Sequence, residues 1–259
     1  MRVLVTFAAE AEFAPFKRRY PFRLKAASGS RSGKGAFYRC EIKDVQLDVY
    51  LTGIGWKGSR ESLVSLMRQK PDLCISSGLA GGLRPDLEVG TVVVAREVLL
   101  VNGGQRLTSR PLLVQLAEKT GAKAVDTFLT STSVVCDAKT KQTMAPFGDV
   151  VEMESFQVLR IARDAGVPAL SIRAISDAAD EDLPLDFGQT IGADGQIRYG
   201  RLILQAGLRP QTVPAMVRFG RRSQRAALNL TMFLDKYLKD LRQHSAQWGV
   251  EGNVEVAAR

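Results

Sequence analysis

Residues 169–180 have the sequence ALSIRAISDAAD, and the first seven form a mainly apolar run that contains one charge, Arg173. A run of this length without clean alternation is typical of a strand buried on both faces of a sheet. An arginine inside such a strand is costly unless it is paired. Asp177 follows at the end of the strand, where the functional groups of α/β proteins collect. The segment therefore predicts a buried strand with a functional site at its carboxyl end.

Similar apolar runs occur earlier in the chain, and helical patterns lie between several of them. We predict further buried strands at residues 3–7, 47–51, 73–76, 91–95 and 98–101. Helices are predicted at residues 59–69, 111–120 and 155–164, each followed by a nearby glycine or proline. Strands that alternate with helices build a sheet covered on both faces. The predicted fold is therefore α/β, with three αβα layers around a central mixed, mostly parallel twisted sheet.

Chain length and the lack of repeats bear on the number of domains. A chain of 259 residues forms one large domain or two small ones. The sequence contains no internal repeat and no low-complexity linker, so we predict a single domain over residues 1–244. A polar, glycine-rich connection at residues 189–210 leads to a C-terminal basic amphipathic helix at residues 217–244. Residues 245–259 are predicted to be a flexible tail.

The composition restricts the available chemistry. His244 is the only histidine, so a multi-histidine metal site is impossible and a Ser-His-Asp or Cys-His site would depend on this residue alone. Cys40, Cys74 and Cys136 lie far apart, which argues against a disulfide framework or a zinc knuckle and suggests a reducing compartment. Acid–base chemistry therefore falls mainly to Asp and Glu, and we expect neither a metal nor an organic cofactor.

Hydropathy argues against a membrane-spanning protein. No apolar stretch reaches the length of about 18 residues that a spanning helix needs. The N-terminal sequence MRVLVTFAAEAEF is interrupted by Glu10 and Glu12 and lacks a cleavage site, so it predicts a first strand and not a signal peptide. We therefore expect a cytoplasmic protein.

Further candidate segments follow other predicted strands. Glu10 and Glu12 follow the first strand, where acidic residues also complement the dipole of a helix start. Gly53-Ile54-Gly55 and Gly78-Leu79-Ala80-Gly81-Gly82 are predicted loops that either form tight turns or let the backbone approach a ligand. In an extended Glu152-Met153-Glu154, both carboxylates point to one face, where they either meet sugar hydroxyls or begin an exposed helix.

In their order and spacing, these segments resemble the purine nucleoside phosphorylase/nucleosidase superfamily, and within it the 5′-methylthioadenosine/S-adenosylhomocysteine nucleosidases. The similarity extends from Met1 to about Phe187. It rests on Ala8-Ala9-Glu10-Ala11-Glu12, Thr52-Gly53-Ile54-Gly55, Gly78-Leu79-Ala80-Gly81-Gly82-Leu83, Val151-Glu152-Met153-Glu154 and Arg173-Ala174-Ile175-Ser176-Asp177. The resemblance implies a phosphorylase/hydrolase-like fold. It also implies cleavage of the N-glycosidic bond of a purine ribonucleoside, an adenosine modified at its 5′ position, with release of adenine.

The resemblance further implies a role for each matching residue. Asp177 matches the group that protonates the purine at N7, which requires a carboxyl that still holds its proton near neutral pH. Glu12 matches the base that activates the attacking water, with Arg173 beside the nucleophile. Glu154 and Met153 match residues that bind the ribose. The same segments imply further substrate-binding roles for Glu152, Gly78, Leu79, Ala80, Gly81 and Ser176.

Two departures from the superfamily pattern bear on the nucleophile. The phosphorylases hold phosphate through an arginine and a serine near the first glycine of the glycine-rich segment. Ser76 and Leu79 occupy those positions here, and Glu12 would repel a phosphate dianion, so the sequence favours water. Leu79 also replaces the small hydroxyl residue of the nucleosidases. The alternatives are a phosphate-dependent purine nucleoside phosphorylase and a nucleoside-binding protein without turnover, which Leu79 would suit.

A second, narrower resemblance lies downstream. Ala178-Ala179-Asp180, Leu183-Pro184, Gly192-Ala193-Asp194-Gly195-Gln196 and Leu208-Arg209-Pro210-Gln211 are similar to the tail of the hopanoid-associated phosphorylases. This resemblance implies release of adenine from a hopanoid precursor, adenosylhopane. Because members of the superfamily generally work as homo-oligomers, the first resemblance also implies a dimer.

The predicted C-terminal helix is strongly basic. Residues 217–244 carry more than half of the formal net charge of +9. Such a helix either packs its apolar stripe on the domain or meets an anionic membrane surface through its basic face, which would make the protein peripheral at the membrane. Nucleic acid is not expected, since the basic residues form no aromatic-interleaved patch and no known module. The stripe at helical spacing consists of Leu230, Phe233, Leu234, Tyr237, Leu238 and Leu241.

Overall fold

The computed structural model describes residues 1–26, 36–55, 60–184 and 210–243. In these residues the protein consists of a mixed sheet with helices on both faces. The described strands are β1 (Arg2–Phe7), β2 (Arg23–Ala26), β3 (Ala36–Ile42), β4 (Val45–Leu51), β5 (Leu73–Gly82), β6 (Val92–Leu100), β7 (Arg106–Thr108), β8 (Lys123–Thr130), β9 (Val150–Glu152) and β10 (Ala169–Asp177). The described helices are α1 (Glu10–Lys17), α2 (Arg60–Arg68), α3 (Pro111–Thr120), α4 (Ala138–Met144), α5 (Ser155–Asp164) and α6 (Val213–Gln243), with 3₁₀ turns at Ala145–Phe147 and Pro210–Thr212. Most of the predicted connection at residues 189–210 and all of the predicted tail at residues 245–259 lie outside the described residues.

The strand order brings three strand ends together. The order across the sheet is β10-β6-β8-β9-β5-β1-β4-β3-β2, and β7 pairs with β6. Because β10 also pairs with β5, the strands β5, β10, β6, β8 and β9 close into a ring. β5 lies between β1 and β10 and is parallel to both, so the carboxyl ends of these three strands meet at one edge of the sheet.

Alternate residues of the central strands face two layers of helices. Val3 and Val5 of β1 pack in a cluster with side chains of α1, α3 and α6, while Leu4 packs with side chains of α2 and α5. Both faces are therefore covered, which explains why these strands are apolar without alternation. The predicted α/β fold with a mixed sheet between helices is confirmed.

The sheet contains more antiparallel pairing than predicted. The pairs β1–β4, β1–β5, β5–β10, β6–β8 and β8–β9 are parallel, whereas β2–β3, β3–β4, β5–β9, β6–β7 and β6–β10 are antiparallel. The sheet is therefore mixed, as predicted, and although antiparallel pairs are as numerous as parallel ones, the parallel pairs together join more residues. Strands β2, β3 and β7 were not predicted because charged residues interrupt their apolar patterns, as in the β3 sequence AFYRCEI.

The glycine-rich segment that was predicted to be a loop belongs to a strand. β5 continues through it to Gly82 and pairs with β10 as far as Gly81. Gly78 has a φ of 152°, a conformation that side-chain-bearing residues rarely adopt. The glycines therefore allow an irregular strand to continue where the sequence suggests that it ends.

The C-terminal helix begins earlier than predicted and packs closely on the sheet. The hydroxyl of Tyr237 donates to the carbonyl of Leu113 at 3.1 Å, and Asp235 accepts from Arg19 at 2.7 Å. These bonds fix α6 to α3 and to the end of α1. Within the described ranges, no helix combines the length and the hydropathy that a membrane crossing requires. The predicted apolar stripe is buried in the protein and is not available to lipid: Leu230, Phe233, Leu234, Tyr237, Leu238 and Leu241.

Candidate active site

Asp177 lies at the carboxyl end of β10, where the strand is irregular. The pairing of β10 with β5 shifts its register between Ile175 and Asp177, and such a bulge re-aims the side chains around it. The hydroxyl of Ser176 donates to Oδ1 of Asp177 at 2.6 Å. A Cβ on Gly81 would lie 2.9 Å from Oδ2, so the glycine makes room for the carboxyl group. Asp177 is therefore buried and held in one orientation.

A buried lysine, which the sequence analysis missed, pairs with Asp177. Lys141 of α4 is fully buried, and its Nζ donates to Oδ2 of Asp177 at 2.6 Å. It also donates to the carbonyl oxygens of Ala178 at 2.7 Å and Glu181 at 2.9 Å. Nothing in the polar sequence of α4 indicates this contact, because Lys141 is the only buried residue of that helix.

Glu12 turns inward from the first turn of α1. The backbone N–H of Ala8 donates to its Oε2 at 3.0 Å, and the N–H of Leu79 donates to its Oε1 at 3.0 Å. Burial raises the pKa of Glu12, although the N–H of Leu79 and the charge of Arg173 lower it in part. A carboxylate with a raised pKa and fixed donors is suited to accept a proton from a water molecule.

Gly78 leaves the space that the Glu12 carboxylate occupies. A Cβ on Gly78 would lie 3.0 Å from Oε2 of Glu12, and its φ of 152° also favours glycine. Glu10, in contrast, is exposed and pairs with Lys17 at 2.8 Å. Glu10 therefore only complements the dipole at the helix start, whereas Glu12 is also held inside the site.

Glu154 lies directly before α5 and reaches the glycine turn at residues 53–55. The N–H of Gly55 donates to its Oε1 at 2.8 Å, and Gly53 and Gly55 have φ values of 73° and 69°. The turn thus binds a carboxyl group, which is a side chain of the protein itself. Burial and the neighbouring Glu152 raise the pKa of Glu154 to about 8, against the lowering effect of Arg173.

Glu152 forms a buried ion pair beneath the site. Nη2 of Arg173 donates to its Oε2 at 2.7 Å. The N–H and the hydroxyl of Ser155 each donate to the same oxygen at 2.8 Å, and the hydroxyl of Thr130 donates to Oε1. Protein donors thus contact both carboxylate oxygens of Glu152, and its role as a substrate contact stays a prediction.

Arg173 is paired, as its position in a buried strand requires. Besides its bond to Glu152, its Nη2 donates to Oγ of Ser76 at 3.2 Å and lies 4.0 Å from Oε2 of Glu154. Its Nε has no hydrogen-bond partner among the described residues. Arg173 pairs with Gly78 where β10 runs beside β5. Because Gly78 also contacts the Glu12 carboxylate, Arg173 and Glu12 adjoin the same strand position.

The other predicted site residues support these groups. The carbonyl oxygen of Ala80 lies 3.2 Å from Oγ of Ser176 and is a second, more distant acceptor for the single hydroxyl proton that reaches Asp177. Leu79 contributes its backbone N–H to Glu12, a contact that does not depend on its side chain. Met153 is half-buried between the two glutamates of its segment.

The structure gathers the predicted residues at neighbouring points of one strand. Glu12 and Arg173 adjoin Gly78, and Asp177 adjoins Gly81, three residues further along β5. A cavity of about 330 Å³ lies next to Asp177 and is lined in part by α6. The site thus combines a buried carboxylate suited to a base with a second carboxyl group held by donors, as acid–base catalysis requires.

The family described as the phosphorylase superfamily matches residues 2–204, and the chain therefore belongs to the phosphorylase superfamily. This family confirms the resemblance on which the sequence analysis relied.

Related proteins with assigned functions are nucleosidases. The chain is 31% identical over 172 residues to the 5′-methylthioadenosine/S-adenosylhomocysteine nucleosidase of Shewanella halifaxensis, over 56% of this chain and 74% of the relative. It is 26% identical over 214 residues to the nucleosidase of the same name from Anoxybacillus flavithermus, over 73% of this chain and 90% of the relative. With the family match, these similarities confirm an enzyme of the class predicted, an N-ribosyl hydrolase or nucleoside phosphorylase.

Solved structures show the same fold. The 5′-methylthioadenosine/S-adenosylhomocysteine nucleosidase of Helicobacter pylori, solved with butyl-thio-DADMe-Immucillin-A, has a TM-score of 0.67 at 18% identity, over 93% of this chain and 99% of that chain. The native futalosine hydrolase of the same organism also has a TM-score of 0.67, at 16% identity, over 93% and 98% of the two chains. At these identities the similarity concerns the fold alone.

Proposed function

We propose that this protein hydrolyses the N-glycosidic bond of a purine ribonucleoside, an adenosine modified at its 5′ position, and releases adenine. The observation that carries the proposal is the environment of the Glu12 carboxylate. Backbone N–H groups hold it next to the strand position of Arg173, and its pKa is raised. Such a group takes a proton from water as the water attacks the ribose. The names of the relatives support the same reaction.

The charge balance of the site favours water over phosphate. Arg173 is the cation that pairs with Glu152 and approaches Glu154, and its charge also acts on Glu12. Even with Glu154 protonated, the carboxylates of Glu152 and Glu12 around one guanidinium leave no surplus positive charge for a phosphate dianion. Ser76, which stands where the phosphorylases carry an arginine, is fully buried and accepts a hydrogen bond from Arg173.

Asp177 is the proposed acid for the leaving purine. Its carboxyl group is fixed by Ser176 and Lys141 and borders the cavity described above. Protonation of N7 prevents negative charge from building up on the purine as the C1′–N9 bond breaks, which lowers the barrier. The two carboxyl groups of the reaction, Glu12 and Asp177, thus act at opposite ends of the bond that is cleaved.

Glu154 and Met153 are the proposed ribose contacts. With a pKa of about 8, Glu154 keeps its proton at neutral pH, and a protonated carboxyl both donates and accepts hydrogen bonds. Ribose hydroxyls need partners of both kinds. The half-buried thioether of Met153 supplies an apolar surface for the sugar ring.

Adenine release from a panel of nucleosides tests the proposal. The panel consists of adenosine, 5′-methylthioadenosine, S-adenosylhomocysteine and adenosylhopane, with futalosine added because its hydrolase shares the fold, and for futalosine the release of its own purine base is followed. We expect adenine and a free ribose product without phosphate, and no increase in rate when phosphate is added. Turnover that appears only with phosphate and yields a ribose 1-phosphate would establish the phosphorolytic alternative. Tight binding of a nucleoside without turnover would establish the alternative of a binding protein.

A peripheral membrane location is a further proposal about partners. Arg218, Arg221 and Arg225 are exposed on α6, and the apolar side chains of Val217 and Leu228 are exposed near them. Cationic and apolar side chains on one helix suit an anionic lipid surface in the cytoplasm. A homodimer remains our expectation from the superfamily, and light scattering at several protein concentrations tests it.

A further inference from the structure

The pairing of Lys141 with Asp177 is not explained by the roles assigned so far. Lys141 is fully buried, and its Nζ has three acceptors, namely Asp177 and the carbonyl oxygens of Ala178 and Glu181. Three acceptors match the three N–H bonds of an ammonium ion, so the geometry is that of a charged lysine. Burying such a charge is costly, and here the charge faces the one carboxyl group that is proposed to transfer a proton.

We propose that Lys141 is a positioning residue for the leaving-group acid. It holds the Asp177 carboxyl in the orientation that purine protonation requires, and it stabilises the carboxylate that remains after the proton has moved. The inference rests on the proposed function, because it assigns Lys141 a part in the same reaction.

A cation at this position makes Asp177 a stronger acid, which favours transfer of its proton once N7 of the purine is within reach, although the same cation also favours the carboxylate in the free protein. The proton of Asp177 moves to N7 of the purine, and the electron pair of the breaking C1′–N9 bond goes to the base, so adenine leaves as a neutral molecule. Asp177 is left with a negative charge in a buried site. The ammonium 2.6 Å from its Oδ2 compensates that charge. Lys141 neither gives nor takes a proton in this step, since all three of its N–H bonds are directed at protein acceptors.

Lys141 also fixes the segment that follows β10. Besides the carbonyls of Ala178 and Glu181, this segment is held by the N–H of Ala178, which donates to Oε2 of Glu181 at 3.2 Å, and by Arg222, which pairs with Glu181. A purely structural role for the lysine is therefore the competing explanation. The test has to separate action through Asp177 from general support of the segment.

A kinetic double-mutant cycle makes this separation. The variants are Lys141→Met, Asp177→Asn and the double variant, with Lys139→Met as the matched control because Lys139 is exposed on the same helix. The substrate is the panel member that the wild-type protein cleaves fastest. We expect Lys141→Met to lower kcat about 10- to 100-fold, less than the ~10²–10⁴-fold that loss of a general acid costs, with KM nearly unchanged. In the Asp177→Asn background the same substitution is expected to leave kcat unchanged, because the group through which it acts is already lost.

The possible outcomes divide clearly. Equal losses in both backgrounds, or a wild-type kcat for Lys141→Met, would overturn the inference while leaving the proposed function intact. If Lys141→Met does not fold because Asp177 is left without its partner, the double variant still removes both charges. Its kcat then has to equal that of Asp177→Asn, and a further loss would overturn the inference. A wild-type protein that releases no adenine from any panel member would overturn the proposed function and this inference with it.

Discussion

Asp177 combines burial, two fixed donors and a neighbouring glycine that gives it space. Its replacement by asparagine keeps the shape and removes the transferable proton. We expect Asp177→Asn to lower kcat by about 10²–10⁴-fold while substrate binding is largely kept. Steady-state kinetics, together with a thermal melt to confirm folding, measures this effect. Asp180→Asn is the control because Asp180 is exposed three residues away, and a variant at Asp177 that kept most of the wild-type kcat would contradict the assignment.

Glu154 predicts a dependence of stability on pH. Its pKa is about 8 in the folded protein against an ordinary value of 4.5. Between these pH values the unfolded chain loses the proton that the folded protein keeps, so the free energy of unfolding falls as pH rises. Each pH unit in this window lowers it by at most about 1.4 kcal/mol, and the fall ends above pH 8.

Denaturation in urea at several pH values between 5 and 8 measures this dependence. We expect Glu154→Gln to lose less stability than the wild-type protein over this range, because glutamine does not titrate. Glu10→Gln serves as the control, since Glu10 is exposed. Parallel curves for wild-type protein and Glu154→Gln would show that Glu154 does not titrate in this range.

The site residues could be predicted from the sequence where they lie within or directly after a predicted strand. Glu12, Asp177 and Arg173 lie where the segments that follow strands were expected to place them. The partner of each group was not predictable, because partners come from distant parts of the chain. Lys141 is 36 residues from Asp177 in sequence, and one of two lysines in a polar helix gives no indication that its charge is buried.

At the scale of elements, Asp235 of α6 ties the C-terminal helix to the end of α1. It accepts from Arg19 at 2.7 Å and from Lys239 at 2.9 Å, and it also accepts from the hydroxyl of Tyr20. Burial alone would raise the pKa of Asp235, but these hydrogen bonds outweigh it and lower the pKa to about 2. The carboxylate therefore contributes stability above the ordinary aspartate pKa, and this contribution is lost as pH falls towards 2.

We expect Asp235→Asn to lower the free energy of unfolding at neutral pH. A loss of about 1–3 kcal/mol is expected, since hydrogen bonds to a charged acceptor are replaced but part of the site is exposed. Chemical denaturation measures the loss. Arg225→Gln is the matched control on the same helix, because Arg225 is exposed. Equal stabilities of Asp235→Asn and Arg225→Gln would show that the junction contributes nothing.

Elements with strong local signals were predicted with correct bounds, and those shaped by tertiary pairing were not. Helices α3 and α5 lie at the predicted residues, because proline or glycine marks their ends. β5 was cut short, because three glycines normally interrupt a strand, whereas pairing with β10 and β9 keeps this one extended. β8 was missed because Lys123 and Asp126 break its apolar run.

At the scale of the whole molecule, the exposed basic residues of α6 predict binding to anionic vesicles. Each Lys or Arg near such a surface contributes about 1 kcal/mol, and added salt weakens the attraction. We expect co-sedimentation with vesicles that contain phosphatidylserine at low salt, and weaker binding when Arg218, Arg221 and Arg225 are changed to Gln. Arg222 is left in place because it pairs with Glu181.

A variant with the same change in charge elsewhere controls this experiment. Arg18, Lys43 and Arg68 are exposed outside α6, and their replacement by Gln is expected to leave vesicle binding largely unchanged. Catalysis on a short water-soluble nucleoside is expected to survive in the control and in a variant with Arg221 and Arg225 alone changed, since Arg218 lines the cavity beside Asp177. Absence of binding at low salt, or equal binding by all three proteins, would leave α6 as a helix that serves only to pack on the sheet.

The position of Gly78 and Gly81 on one strand has a consequence for the design of inhibitors. β5 is hydrogen-bonded to β1 on one side and β10 on the other, and central strands are among the last parts of a protein to open. Because the carboxyl groups of Glu12 and Asp177 each pack against a glycine of this strand, the backbone of β5 helps to fix the spacing between them in the absence of a ligand. In the proposed reaction, a matching inhibitor places a cation at the ribose position and a hydrogen-bond donor at the purine N7 position. A rigid molecule of this kind loses little conformational entropy on binding and therefore binds more tightly than a flexible one.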